Sequence, residues 1–325
     1  MRNIETIVTN LPWAECHKER LRAAAPEAEI IYVSADDSDA LAKALPKATV
    51  AVILGRPDVR AAKKLQWLHW DAAGLDGIAQ PDYIQAGFDI TGSAGRSAPA
   101  LAEHCFYFML NHAYHNRLVL KAQDAGHWGY EGQGAMKALF SQTIGIVGMG
   151  NTGFALAKRA KAFEMNVLSY SRKVKPCADV DEMFASDQGD TLDRLLPRCD
   201  FLVMCCALTD QTFHMLGERE LAMMKSTAVI VNVGRGKTID EPALLRALNE
   251  GRIAGAGLDT FETEPLPPDS SVWATKNLFV TPHFTPACPD KLGRSLNVVI
   301  ENIGLFHEGK PLLNKLQPDD LFTKR

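Results

Sequence analysis

The 325-residue sequence predicts an α/β protein of two domains built from βαβ units on parallel sheets. Three observations carry that prediction. Short apolar, β-branched runs alternate with helix-length segments along nearly the whole chain. A glycine fingerprint follows one of those runs at Gly148, and the length suits two domains of ordinary size.

The first hundred residues supply "ETIVT", "EIIYV", "TVAVIL" and "LQWLHW" as strands. Helices are expected from about Ala14 to Ala25 and from Ser38 to Leu45. The segment "APALAEHCFYFMLNHAYHNRLVLKAQ" places Pro99 where a first helical turn tolerates it and keeps helical periodicity beyond, so it reads as one long helix bridging two domains. A glycine-rich connector, "AGHWGYEGQGAM", leads to a second series of six strands: "QTIGIV", "NVLSYS", "CDFLVMCCA", "STAVIVNV", "IAGAGLD" and "LFVTPH". Helices such as Glu241 to Asn249 separate them, and "DKLGRSLNVVIENIGLFHEGKPLL" reads as a final helix with an extended tail. Residues 260–271, "TFETEPLPPDSS", carry no strong element signal.

Composition narrows the functional classes. With 46% hydrophobic and 23% charged residues the chain reads as a soluble globular protein, and no segment approaches the roughly 20 apolar residues of a membrane span. The opening "MRNIETIVTNLPWAECHKER" meets acidic and polar residues before an apolar run could serve as a signal peptide, so a cytoplasmic location is expected. A formal charge of −4 gives no electrostatic reason to expect nucleic acid or a membrane surface as partner. Seven cysteines without a C-x-x-C pair form neither a zinc pattern nor a disulfide framework, and Cys205 and Cys206 in "FLVMCCAL" suit core packing. His112 and His115 share an expected helix face, where packing or solvation explains them better than a metal, since no third ligand is evident.

"IGIVGMGNTGFALAKRAKAF" sets Gly148-x-Gly150-x-x-Gly153 directly after a strand and at the start of a helix. Gly148 permits the tight turn, Gly150 lets backbone approach a pyrophosphate, and Gly153 allows close packing of helix on strand. The helix amino end, with Met149, Asn151 and Thr152 between the glycines, offers unpaired N–H groups to the anion. In the next strand the position that would carry an acidic residue for the ribose of NAD holds Ser171, followed by Arg172 and Lys173. A hydroxyl and two cations suit the 2′-phosphate of NADP(H), so NADP(H) is expected over NAD(H).

Three polar residues fall at later strand ends: Arg235 after "VIVNVG", Glu264 in "LDTFETEP" and His283 in "FVTPH". Parallel topology brings the carboxyl ends of all strands to one edge, beside the cofactor. Hydride transfer to a 2-oxoacid needs a carboxylate anchor, a proton donor and a group that keeps the donor charged. Arg235 supplies a planar fork of donors, His283 the side chain that titrates nearest neutrality, and Glu264 a carboxylate to hold the imidazolium.

The stretches "GIVGMGNTG", "VNVGRGKTIDEPALLRAL", "GAGLDTFETEPLP" and "TPH", in that order, resemble the D-isomer-specific 2-hydroxyacid dehydrogenases, a group that includes glyoxylate and hydroxypyruvate reductases. The resemblance runs from "LHWDAAGLDGI" to the final helix. It implies that Arg235, Glu264 and His283 form the catalytic trio, that Asp259 holds the nicotinamide carboxamide, and that amides near Ala73 and Gly74 bind the substrate carboxylate. Cys206, Ala207 and Thr212, with Val233 and Gly234, are implied to lie near the cofactor. It further implies two Rossmann-like, doubly wound parallel-sheet domains with a cleft between them: a substrate-binding, flavodoxin-like domain of residues 1–99 with 288–325 and a dinucleotide-binding Rossmann domain of residues 100–287. Closure of the cleft by hinge motion and a homodimer are implied as well.

The chain also departs from the family pattern. Ala207 in "CALT" stands where proline is frequent, and "FTPAC" after the histidine replaces small residues, so Phe284 is expected to reshape the pocket. Trp273 and Arg96 are further pocket candidates, each as readily structural. The reading is therefore an NADP(H)-preferring reductase of a small 2-oxoacid. A dinucleotide-sensing, corepressor-like binding protein on the same scaffold is the alternative, and the regular E-P motif at Glu264 points away from a formate dehydrogenase.

Overall fold

The computed structural model describes residues 2–55, 58–59, 61–85, 87–284 and 288–324. Two compact units divide the chain: Met1–Ser97 with Cys288–Arg325, and Ala98–Ala287. Each is built on its own all-parallel sheet.

In the first unit, β1 (Thr6–Thr9), β2 (Glu29–Tyr32), β3 (Val50–Ile53), β4 (Trp67–Trp70) and β5 (Asp89–Gly92) are joined through α1 (Glu15–Ala24), α2 (Ser38–Ala44) and α3 (Pro81–Ile84). The strand order is β2-β1-β3-β4-β5, the flavodoxin-like order of an open α/β sheet. Burial dictates the composition: β3 reads VAVI with every residue buried, because helices cover both faces of a parallel sheet. The strand β5, "DITG", was not among the runs expected from sequence. Only one of its four residues is a large aliphatic, and it becomes a strand by pairing with β4 in the register Leu68↔Ile90, His69↔Thr91.

The second unit opens with α4 (Ala98–Ala113) and α5 (Asn116–Asp124), then β6 (Thr143–Val147), α6 (Asn151–Ala162), β7 (Asn166–Ser171), β8 (Glu182–Ala185), β9 (Phe201–Met204), α7 (Glu218–Ala222), β10 (Val229–Asn232), α8 (Glu241–Asn249), β11 (Gly255–Leu258) and β12 (Leu278–Val280). Its seven strands run β12-β11-β10-β9-β6-β7-β8. This sheet has one strand more than the six expected. The addition is β8, a short edge strand that pairs only with β7.

The expected single helix over residues 98–123 is two helices, and α4 packs inside the second unit. The break falls at His115, which adopts φ 48°, while the Asn116 side chain donates to Asn111 Oδ1 at 2.7 Å across the interruption. The His112 ring lies against β11, where a Cβ on Gly255 would stand 2.2 Å from it, and His112 Nε2 contacts Ala256 O at 3.0 Å. His112 and His115 therefore do not share one continuous helix face. Gly257 leaves room for Phe108 in the same way, at 2.4 Å, which explains the small-residue sequence "GAGL" of β11.

The chain then completes the first unit with α9 (Lys291–His307), capped by Asp290, whose side chain accepts the Gly293 N–H. Its buried Leu296, Val299, Ile303 and Phe306 follow a helical stripe that packs with Trp67 and Leu21. Beyond it, Leu316 N–H reaches Ile90 O, tying the tail to β5. No helix among the described residues is long and apolar enough to cross a membrane.

Candidate active site

The order of the seven-stranded sheet reverses direction of growth between β6 and β9, the place where open α/β sheets bind ligands. The glycine loop lies there. Gly148 adopts φ 109°, and a Cβ on it would stand 2.7 Å from the Cys206 backbone after β9. A Cβ on Gly153 would meet the Gly148 carbonyl oxygen at 2.3 Å, so the first turn of α6 sits directly on the loop. Gly150 differs, because nothing lies within 4 Å of a Cβ built there. Helix α6 makes its first loop-to-helix bond from Phe154 N–H to Gly150 O, leaving the Asn151, Thr152 and Gly153 amides without a partner among the described residues. Open space over Gly150 beside unpaired helix-terminal amides fits a bound pyrophosphate. The Met149 side chain turns into the core, so only its backbone belongs to the loop.

Neighbouring strand ends contribute the rest of the predicted cofactor set. Cys205 Sγ donates to Gly148 O at 3.2 Å, and burial pushes the Cys206 thiol up to about 12, so it stays neutral. The Thr212 hydroxyl donates to Ala207 O at 2.7 Å, closing residues 207–212 into a compact loop. Val233 N–H bonds Met204 O, and a Cβ on Gly234 would stand 3.0 Å from Cys206 O. At the end of β7, Ser171 Oγ donates to Lys173 O at 2.6 Å, while Arg172 and Lys173 are exposed.

Beyond β10 the chain is pinned by Asn232, whose amide donates to Arg235 O at 3.0 Å and accepts Gly234 N–H at 3.0 Å. Gly236 follows, packed so tightly that a Cβ would lie 1.9 Å from the Phe261 carbonyl carbon and 2.5 Å from Glu262 N. The Glu264 loop is thus held against the Arg235 loop. Glu241 and Glu262 strengthen that join by exchanging bonds, each carboxylate accepting the other's backbone N–H, at 3.0 and 3.1 Å.

Glu264 Oε1 accepts Phe261 N–H at 2.9 Å, and its Oε2 lies 2.7 Å from His283 Nδ1. His283 adopts φ 48°, a left-handed conformation uncommon outside glycine. The hydrogen bond with Glu264 raises the imidazole above its ordinary value; burial and the Arg235 charge oppose the rise, and the charges of Glu264 and Asp259 add to it. Burial pushes Glu264 up, but His283, the Phe261 N–H and Arg235 together hold its carboxyl below the usual value. The pair therefore favours a carboxylate beside an imidazolium, with Arg235 close enough to act on both.

Sequence patterns missed the support of Asp259. This carboxylate, 1% exposed after β11, accepts the Thr281 hydroxyl at 2.7 Å, and Thr281 in turn lies 3.3 Å from His104 Nε2 on α4. Helical periodicity placed His104 on α4 but carried no signal of its partner 177 residues away. The exposed Phe284 tilts against the His104 ring at 5.6 Å; residues 285–287, the rest of the unusual "FTPAC" start, lie outside the described residues. Trp273 is exposed and donates to Pro267 O, a loop contact. Arg96 belongs to the first unit, buried in an ion pair with Asp71. In that unit the Ala73 and Gly74 amides have no hydrogen-bond partner among the described residues. No group of three or more metal-ligating side chains occurs among the described residues.

The family model for the NAD-binding domain of D-isomer-specific 2-hydroxyacid dehydrogenases matches residues 106–285. The chain belongs to that family. This dehydrogenase is 34% identical over 296 residues to a glyoxylate reductase of Korarchaeum cryptofilum, covering 88% of this chain and 85% of the relative. It is similar in structure to a family protein from Aeromonas salmonicida, with TM-score 0.82 and 28% identity over 97% of this chain and 99% of that one. It is also similar to the NADPH-dependent glyoxylate/hydroxypyruvate reductase of Sinorhizobium meliloti, solved with NADP and sulfate, at TM-score 0.80 and 26% identity over 97% and 98% of the two chains. The dehydrogenase is accordingly an oxidoreductase whose second unit is a nicotinamide-dinucleotide-binding domain, and its likeness to reductases does not favour the sensing alternative.

Proposed function

We propose that the protein reduces a small 2-oxoacid, such as glyoxylate or hydroxypyruvate, to the D-2-hydroxyacid and prefers NADPH to NADH. The observation that carries this reading is the His283–Glu264 pair at 2.7 Å, whose carboxylate favours the protonated imidazole beside the Arg235 loop. When bound, the reduced nicotinamide supplies hydride to C2 of the oxoacid. His283 donates its proton to the carbonyl oxygen, Glu264 stabilises the imidazolium until that transfer, and Arg235 anchors the carboxylate and polarises the carbonyl. Asp259, buried and fixed by Thr281, would hold the nicotinamide carboxamide. The unpaired Ala73 and Gly74 amides in the first unit receive the substrate carboxylate. Relatives named glyoxylate reductase support the substrate class.

Adding a series of 2-oxoacids to the protein with NADPH tests the activity directly. Oxidation of NADPH is expected with the smallest members and is lost in His283→Ala, while cofactor binding persists; equal turnover by that variant refutes the proton-donor role. The cofactor preference rests on Ser171, Arg172 and Lys173, which set a hydroxyl and two cations where NAD enzymes place an acid. Arg172→Ala is expected to narrow the NADPH-to-NADH ratio of kcat/KM by about 10-fold or more, the weight of a charge-assisted phosphate contact. Equal use of both cofactors by the unmodified protein overturns the preference.

A homodimer in the cytoplasm completes the reading. Residues 107–140 expose an unusual share of large apolar side chains, including Tyr114 (51%), Leu120 (47%), Phe140 (59%) and a fully exposed Trp128. A second copy covering this surface accounts for them. Sedimentation of the unmodified protein as a monomer at micromolar concentration refutes it.

A further inference from the structure

We propose that the buried Asp71–Arg96 pair, together with Ser93 and Ser295, is a positioning clasp that fixes the Ala73 and Gly74 amides for an incoming carboxylate. The inference rests on the reading that these two amides receive the substrate. They follow β4 directly, in a loop whose neighbours are tied on every side: Asp71 N–H to Ile53 O, Ala72 N–H to Trp70 O, and Ser93 N–H to Ala72 O, at 2.8, 2.7 and 2.9 Å. Gly92 lets β5 approach from below, since a Cβ there would stand 2.9 Å from Ala72 O and 2.7 Å from Leu75 Cδ2. Among the described residues the amides of Ala73, Gly74 and Leu75 are left without a partner, directly after two loop amides that are bonded.

The Asp71 side chain turns inward to hold that loop. Its Oδ1 accepts Ser93 Oγ–H at 2.6 Å and the Arg96 guanidinium, which also donates to Ser295 Oγ on α9 at 2.9 Å. The Arg96 carbonyl accepts Arg294 Nε, so the arginine is fixed at both ends. Asp71, Arg96 and Ser295 are 4%, 9% and 0% exposed, so the cluster is shielded from bulk solvent.

A longer chain of hydrogen bonds feeds the same carboxylate. Trp67 Nε1 donates to Thr91 Oγ1 at 2.8 Å; His69 lies between Thr91 Oγ1 and Ser93 Oγ, at 2.9 Å from each. Indole can only donate and carboxylate can only accept, so the two ends set the direction. Thr91 donates to His69 Nδ1, His69 Nε2–H donates to Ser93, and Ser93 donates to Asp71. The chain needs a neutral imidazole. Burial supplies one by pushing His69 down to about 4, against the pull of Asp71 and with the help of Arg96. Burial pushes Asp71 up, yet Arg96, Ser93 and Ser295 outweigh it and keep the carboxylate charged. Buried ion pairs stabilise little relative to apolar replacements of the same shape. What this one supplies is a single orientation of residues 71–75.

Arg96, whose charge is taken by Asp71, is a positioning residue and makes no contact with substrate in this assignment. The test uses Asp71→Asn, Ser93→Ala and Ser295→Ala in the full chain, with steady-state kinetics on glyoxylate, NADPH titration and amide hydrogen exchange. Asp71→Asn is expected to raise KM for the oxoacid about 10-fold or more while kcat and NADPH affinity stay within about 3-fold, since only ground-state and transition-state binding of the carboxylate is weakened alike. Exchange of the amides at residues 71–75 quickens in all three variants, and Arg96→Lys, which keeps the charge, retains more of the oxoacid affinity than Arg96→Ala. Unchanged KM and unchanged exchange in a folded Ser295→Ala or Ser93→Ala protein overturn the clasp, whether or not Asp71→Asn folds. Failure of the unmodified protein to reduce any 2-oxoacid refutes the functional reading instead, and the exchange rates still judge the clasp.

Discussion

Gly236→Ala tests whether the loops that carry Arg235 and Glu264 are one mechanical unit. Its added Cβ would lie 1.9 Å from the Phe261 carbonyl carbon, where ordinary contact begins near 3.4 Å, so the 261–262 backbone must retreat by about 1.5 Å. That backbone carries the Phe261 N–H which holds Glu264 Oε1 at 2.9 Å, and Glu264 Oε2 reaches His283 at 2.7 Å. A retreat of this size breaks one of the two bonds. Overpacking of this kind costs about 1–3 kcal/mol of stability. A displacement of about 1 Å in catalytic groups costs on the order of 100-fold in rate. The assay is kcat/KM for glyoxylate with NADPH, alongside the melting temperature and the NADPH dissociation constant. Gly304→Ala on α9 is the control, because no atom lies within 4 Å of its Cβ, and alanine is better than glycine in a helix by about 1 kcal/mol. Activity of Gly236→Ala within about 3-fold of the unmodified protein, a loss of less than about 1 kcal/mol, would refute the coupling of the loops.

Gly150→Ala is expected to leave the melting temperature unchanged, because its Cβ enters open space, and, if that space receives the pyrophosphate, to weaken NADPH binding by about 10-fold or more. Gly153→Ala does the reverse first, lowering the melting temperature through its 2.3 Å approach to Gly148 O; fluorescence titration and thermal unfolding of the two variants separate these effects. In the proposed mechanism protonated His283 supplies the proton, so the rate of oxoacid reduction is expected to fall as pH rises through the raised pKa of that imidazole. Glu264→Gln removes the largest cause of the rise, and the basic limb of the pH profile moves to lower pH; a limb that stays in place shows that another group donates the proton. Asp259→Asn moves the limb the same way but less, because Asp259 acts on His283 only through its charge and more weakly than Glu264.

Strand ends were the legible part of this site. A polar residue that follows an apolar run, as Arg235 follows β10 and His283 follows β12, is visible in one dimension, and parallel topology then places the strand ends along one edge. The glycine loop was legible for a related reason, since each of its glycines answers a separate local demand for turn, open space or close packing. The edge strand β8 was not legible. Glu182–Ala185 is short and partly exposed, and it extends only because β7 offers it a free edge. The break between α4 and α5 was equally silent, because neither glycine nor proline marks it and the turn is closed by the amides of Asn111 and Asn116.

Buried polar pairing is the harder case, and Asp71 shows why. Its partners Ser93, Arg96 and Ser295 lie 22 residues away, 25 residues away and on the last helix, and no period or spacing links them. What identifies them as a set is an accounting constraint that exists only after folding: the great majority of buried donors and acceptors find a partner. The same constraint joins His104 to Asp259 through Thr281. Sequence therefore points to groups that meet a ligand at a strand end, whereas the groups that hold those in place are chosen by three-dimensional neighbourhood. Substitutions at the first kind should alter the chemistry of the bound state, and substitutions at the second should alter how often the loop is in the right place to bind. The separation of KM from kcat in the Asp71 and Ser295 variants measures that distinction directly.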